Sequence, residues 1–158
     1  MVTTAVLSTV MGSVLVTTTS VVTTMAAVAN YNELNSRSRT TLDTMSCDLR
    51  NTAVVTTLTD RQVTVTNSVT GDKISYNWDG TNFFTRTLNG YKRIMLSGCD
   101  SLTFNGFQRN PTNNFQFVPT HTASETKLIS VSWRCSRQIR GAKLNTESVQ
   151  TAQICIRN

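Results

Sequence analysis

Apolar and polar positions follow three regimes along this chain. From Met1 to Asn32 there is no charged side chain, and Val, Leu and Met alternate irregularly with Thr and Ser; Glu33 is the first charge. From Leu34 onward Leu34, Ser38, Leu42, Met45, Leu49 and Ala53 recur at spacings of three and four, which lays one largely apolar stripe along a helix. Glu33 and Arg37 stand four apart in the order that favours an ion pair. No Gly-Pro or Asn-Gly break interrupts residues 1–29, and Gly12 alone weakens a helix by about 1 kcal/mol relative to Ala. The pattern predicts one helix from about Val2 to Ala53, bent if anywhere near Gly12 or Thr17–Ser20.

After Thr59 the period changes to that of strands. Thr70-Gly71-Asp72, Asp79-Gly80 and Asn89-Gly90 separate four short runs of β-branched and aromatic residues, and such dipeptides are strong hairpin signals. They predict a four-stranded antiparallel meander. A further strand follows at residues 101–108, then a polar loop from Arg109 to Glu125 holding both prolines. Two last strands lie at 127–135 and 148–157. In the final one Val149, Ala152 or Gln153, Ile154 and Ile156 do not alternate cleanly. The expected class is α+β: a long N-terminal helix packed through its second half on an antiparallel β domain. Three parts result: the hydrophobic half-helix 1–30, the amphipathic half 31–56 and the β domain 57–158.

Three readings of residues 1–30 compete. A helix needs about 20 mostly apolar residues to cross the hydrocarbon core, and Ala5–Ala29 is long enough. Its threonines are tolerable in lipid if their hydroxyls bond back to the helix, and they suit packing against other helices. Ala27-Val28-Ala29 also fits a signal-peptide cleavage site, although no Lys or Arg precedes the apolar stretch. Two buried strands are the third reading, since Val and Thr form strands well. On the helical reading Leu34, Leu42, Met45 and Leu49 pack on the sheet. Val6, Val10, Val14, Val21 and Val28 then form an exposed surface for assembly.

The net charge of +6 lies wholly after Asn32, with clusters at Lys92-Arg93 and at Arg134, Arg137, Arg140 and Lys143. A basic face can meet nucleic acid or anionic lipid, but scattered charge is more often a solvated surface, and nucleic acid is not an expected partner. Cys47, Cys99, Cys135 and Cys155 show no metal-ligand spacing, and His121 is the single histidine, in a loop. A disulfide Cys99–Cys135 is expected between strand ends, and by elimination Cys47–Cys155, tying the helix to the last strand. No nucleophile elbow, phosphate loop or zinc-protease motif occurs. Asp60, Asp72, Asp79 and Asp100 stand singly beside turns. No catalytic residue, metal or cofactor is expected, and the chain reads as structural rather than enzymatic.

In the order of these parts the chain resembles type IV pilin-like proteins, and more narrowly the J-class minor pseudopilins of type II secretion systems. The resemblance rests on the uncharged start and on residues 38–55 (SRTTLDTMSCDLRNTAVV), where Leu42, Asp48, Leu49 and Arg50 match a Leu-x-x-x-x-x-Asp-Leu-Arg pattern. Residues 76–90 (YNWDGTNFFTRTLNG), 95–104 (MLSGCDSLTF), 127–137 and 145–158 look like pilin-like proteins of Verrucomicrobia-type bacteria. The family's prepilin peptidase motif is absent; Met1-Val2 would fall just after it, and Ala5 stands where a Glu normally helps docking if Met1 is the mature start. The resemblance implies a single-pass inner-membrane protein, with N-terminal methylation and a periplasmic or extracellular β domain. Such a subunit assembles with other pilin-like subunits into a pseudopilus or pilus and can contact a secretion substrate. The rival is a secreted basic β module for an anionic polymer such as DNA, released by cleavage after Ala29.

Overall fold

A computed structural model describes residues 2–110, 114, 116–139 and 147–156; for residues 2–6, 8 and 9 it describes the backbone alone. The first element, α1, is one unbroken helix of 49 residues, Val2–Arg50, about 74 Å long at the usual rise. It passes Gly12 and the Thr17–Ser20 run without interruption. The helix closes where the backbone N–H of Asn51 donates to Cys47 O (3.2 Å) and the Thr52 hydroxyl donates to Asp48 O (3.0 Å). Strand β1 (Thr52–Leu58) begins at once. The expected helical part 31–56 is therefore six residues too long. Ala53 fits the helical stripe, but Thr52, Val54, Val55, Thr56 and Thr57 are β-branched and prefer the pleated sheet.

Strands β2 (Gln62–Asn67), β3 (Lys73–Trp78), β4 (Phe83–Leu88) and β5 (Tyr91–Ser97) complete a five-stranded antiparallel meander with β1. The second sheet has the order β7-β6-β8-β9, from β6 (Cys99–Arg109), β7 (Phe117–Thr120), β8 (Leu128–Ser136) and β9 (Glu147–Cys155). All its pairings are antiparallel. One residue, Gly98, carries the chain from β5 to β6. Its φ is +74°, and a Cβ there would lie 2.6 Å from Ser136 O, so only glycine fits. The antiparallel β domain expected from the sequence is built as two sheets. Strand β7 lies inside the polar loop read from Arg109 to Glu125, and its Pro119 is acceptable because β7 is an edge.

The two inner faces meet through aromatic rings. Phe84 of the first sheet stacks on Tyr76 (centroids 5.8 Å apart) and touches Phe104 and Trp133 of the second, each at 6.1 Å. Val63, Val65, Ile74 and Leu96 join them from one sheet, and Leu102, Ile129, Val131 and Ile154 from the other. The second half of α1 contacts β9 and β5 and adds Leu34, Met45 and Leu49 to this core, with Leu42 partly buried against it. In β9 the irregular pattern resolves into strict alternation: Ser148, Ile154 and Ile156 are buried, while Val149, Thr151, Gln153 and Cys155 face outward.

Candidate assembly surface on the N-terminal helix

The helix has two halves with opposite surroundings. Between Leu7 and Asn30 no side chain that the structure describes is buried. Val10, Val14, Val21 and Val28 are each 46–57% exposed, and Leu7, Met11, Leu15, Val16, Val22 and Met25 are exposed with them. The Val6 side chain lies outside the described residues. This segment reaches a mean hydropathy of 1.5 and is long and apolar enough to cross a membrane. Six of its hydroxyl side chains are folded against the backbone. Thr17, Thr18 and Thr24 donate to the carbonyls of Ser13, Val14 and Ser20 four residues back, at 2.6–2.9 Å. Ser13, Thr19 and Thr23 make similar bonds. The proton of each of these six hydroxyls is thereby satisfied within the helix, so their threonines present mostly methyl groups.

The exposed half joins the docked half at a charged collar. Arg137, just past β8, donates to Glu33 at 2.5 Å, and Arg37 pairs with the same carboxylate at 2.9 Å. Arg137 also reaches the Asn30 side-chain oxygen at 3.5 Å. The Arg137 hydrogen bond, followed by the charges of Arg137 and Arg37, holds the Glu33 carboxyl below its ordinary pKa, and the same hydrogen bond, followed by the Glu33 charge, raises that of Arg137. Five residues beyond Glu33, the buried Ser38 hydroxyl accepts the indole N–H of Trp133 at 3.3 Å.

A second ionic anchor closes the far end. Asp48 accepts two bonds from the Arg86 guanidinium, at 2.7 and 3.2 Å, and one from the hydroxyl of Tyr76. Tyr76 is fully buried; burial first, and then Asp48, push its hydroxyl well above the ordinary phenol range. Arg86 is shifted upward by the same carboxylate. Asp48 and Leu49 thus hold the helix to the first sheet by charge and by packing, while Arg50 of the same motif is exposed. This anchor and the Glu33 collar span 38 and 104 residues of sequence. Only the i,i+4 spacing of Glu33 and Arg37 was visible as a signal.

The cysteines are arranged differently from the expected bridges. All four are thiols. Cys99 and Cys135 are register partners of β6 and β8, both fully buried, so the expected pair is brought side by side without a closed bridge. Hydrogen bonding to Cys135, and then burial, raise the Cys99 thiol's pKa. Cys47 and Cys155 form no bridge and are exposed. Cys47 lies off the buried stripe of α1, and its sulfur accepts from the Asn51 side chain at 3.7 Å. Cys155 is on the outward row of β9, whereas Gln150 of the inward row is the residue that reaches Asn35 on the helix (3.4 Å).

His121 is exposed between β7 and the short 3-10 turn Ala123–Glu125. Lys92, Arg93 and Arg134 are exposed on strands, and Arg140 and Lys143 lie outside the described residues. Among the described residues no three His, Cys, Asp or Glu side chains gather as metal ligands.

Comparison with protein-family models, with curated proteins and with solved structures finds no match for this chain. The class is therefore set by architecture. It is an α+β protein with one long apolar N-terminal helix docked by its second half on antiparallel sheet, an arrangement consistent with a pilin-like fold.

Proposed function

We propose that the protein is a pilin-like structural subunit, of the minor pseudopilin kind that its sequence resembles. It waits in the inner membrane with residues 1–30 in lipid and the β domain outside. It then joins a pseudopilus or pilus-like filament used for protein secretion, through the same helical surface. The observation that carries this reading is the contrast along α1. One continuous helix is docked by two ionic anchors and a buried stripe after Asn30, and its uncharged first half has no buried side chain among the described residues. An apolar surface of this length marks an interaction site. Burial in lipid is exchanged on assembly for burial against neighbouring helices, so the transfer does not require the β domain to refold. Cleavage after Ala29, which the secreted-module reading needs, would cut α1 in mid-course directly beside Asn30, a partner of Arg137.

The test is a secretion or piliation assay on two sets of variants. Val14→Asp and Val21→Arg place a charge at the middle of the segment, costing roughly 2.5–3.5 kcal/mol on insertion scales. They are expected to abolish membrane retention and filament assembly. Lys92→Ala and Arg93→Ala are expected to leave insertion intact. Full function of Val14→Asp in a retained helix would refute the proposal.

A further inference from the structure

The first sheet ends in β5, and among the described residues no strand pairs with its outer edge. The first four residues of β5, Tyr91 to Ile94, are all exposed, Tyr91 by 86% and Ile94 by 56%. Asn89 and Gly90, with φ of +47° and +91°, make the two-residue turn between Leu88 and Tyr91. Such a turn joins its flanking residues by hydrogen bonds, and antiparallel pairs alternate between bonded and non-bonded. Leu88–Tyr91 and Arg86–Arg93 are then the bonded pairs. Thr87–Lys92 and Thr85–Ile94 are the non-bonded ones. The N–H and C=O groups of Lys92 and Ile94 accordingly point to the free edge. The helix hydrogen-bonds this strand farther along, where the Thr41 hydroxyl donates to Met95 O at 3.5 Å.

A cavity flanks the edge on each face of the sheet. On the outer face one of about 360 Å³ is lined by Phe83, Thr85, Ile94 and Lys92, with Asn77 and Asp79 at its far end. On the helix side one of about 340 Å³ is lined by Arg93, Ile94 and Met95 and by Arg37 and Thr40 of α1. Lys92 and Arg93 are neighbours, so they serve opposite faces. Neither has an ion-pair partner among the described residues. Asp79 belongs to the Phe83 end of the outer cavity, and Lys92 pairs with Thr87 near the turn. The two charges therefore sit at opposite ends of the row, with Ile94 between them.

We propose that the β5 edge binds an extended segment of a partner protein as an added strand, with consecutive acid, acid and apolar residues facing Lys92, Arg93 and Ile94. Backbone bonds to Lys92 and Ile94 supply the pairing, and the two cavities take alternate side chains. The cations select the occupant. A second copy pairing through β5 would set Lys92 and Arg93 against the same charges, and like charges across a strand pair repel. This inference is independent of how the N-terminal helix is used.

The test uses the full chain in detergent micelles, labelled for amide NMR. The probe is a heptapeptide with Glu-Asp-Val at its centre, beside a control with Lys-Lys-Val. The acidic peptide is expected to shift the amides of Lys92 to Ile94. The double variant Lys92→Glu with Arg93→Glu should weaken it at least tenfold and bind the control instead. Ile94→Pro removes one edge N–H and should abolish binding. If that variant does not fold, an acidic peptide N-methylated at its central backbone asks the same of the unaltered protein and should fail to bind. The proposal is overturned if the acidic peptide does not bind at millimolar concentration or binds equally when N-methylated. Shifts that spare Lys92 to Ile94 and map to the first half of α1, or self-association of the chain through β5, would overturn it too.

Discussion

Single side chains carry the docking of helix to sheet, and two of them give sharp expectations. Ser38→Ala removes the acceptor of the Trp133 indole N–H inside the core. A buried donor left unsatisfied costs about 1–3 kcal/mol, so denaturant unfolding followed by Trp fluorescence should show a loss in that range. Asp48→Ala leaves the Arg86 charge and the Tyr76 hydroxyl facing each other without the carboxylate that both address. Removing one partner of a buried pair costs about 3 kcal/mol or more, and the same measurement should show a larger loss than for Ser38→Ala. Equal stability of Asp48→Ala and wild type would mean that this anchor contributes nothing to docking. Neither contact was visible in the sequence. Ser38 occupied a place in the apolar stripe as an anomaly, and Asp48 belonged to a motif whose partner lies on β4. A hydrogen-bond partner far along the chain leaves no local trace.

At the scale of elements, the turns were the most legible part of the chain. Asn89-Gly90 supplies the positive φ values that a two-residue hairpin needs, and the strands on either side follow from it. Asp79-Gly80 marks a longer turn in which the Asp79 carboxylate accepts the backbone N–H groups of Thr81, Asn82 and Phe83. Those bonds, led by the one from Asn82, lower its pKa from 3.8 to about 2. A pKa depressed by folding contributes stability that is complete above the unfolded value and lost as pH falls through the folded one. Thermal midpoints should therefore drop as pH goes from about 4 to about 2. Asp79→Asn, which keeps an acceptor but cannot titrate, should flatten that drop; an unchanged pH profile would remove the turn from the account.

What escaped the sequence at this scale has physical causes. Strand β1 was read partly as helix because Ala53 continues the three-four spacing, although the β-branched run around it decides the structure. Strand β7 is four residues long and holds a proline, which hides an edge strand. The division into two sheets turns on one glycine, Gly98, whose requirement comes from Ser136, a residue 38 positions away. The helix itself, its buried stripe and the exposed valines followed directly from charge and periodicity.

The whole molecule combines a packed half and a naked half. Among the described residues, removing residues 1–29 deletes only side chains that stay out of the core, and it keeps Asn30, Glu33, Ser38 and Asp48. That fragment should be a soluble folded monomer by size exclusion and circular dichroism, with a melting transition close to that of the full chain. Aggregation or absence of a transition would show that the two halves fold as one. The cysteines divide the same way. Exposed Cys47 and Cys155 should react with a thiol reagent in the native protein, and buried Cys99 and Cys135 only on unfolding.

The claim that the first half of α1 is a retained anchor and assembly surface is tested most directly by intact mass combined with alkaline extraction of membranes from cells producing the protein. The account predicts a mature chain that keeps the segment from Val10 to Val28 and stays with the membrane pellet or with sheared filaments. A mature chain beginning at Asn30 and recovered in the soluble fraction would contradict it.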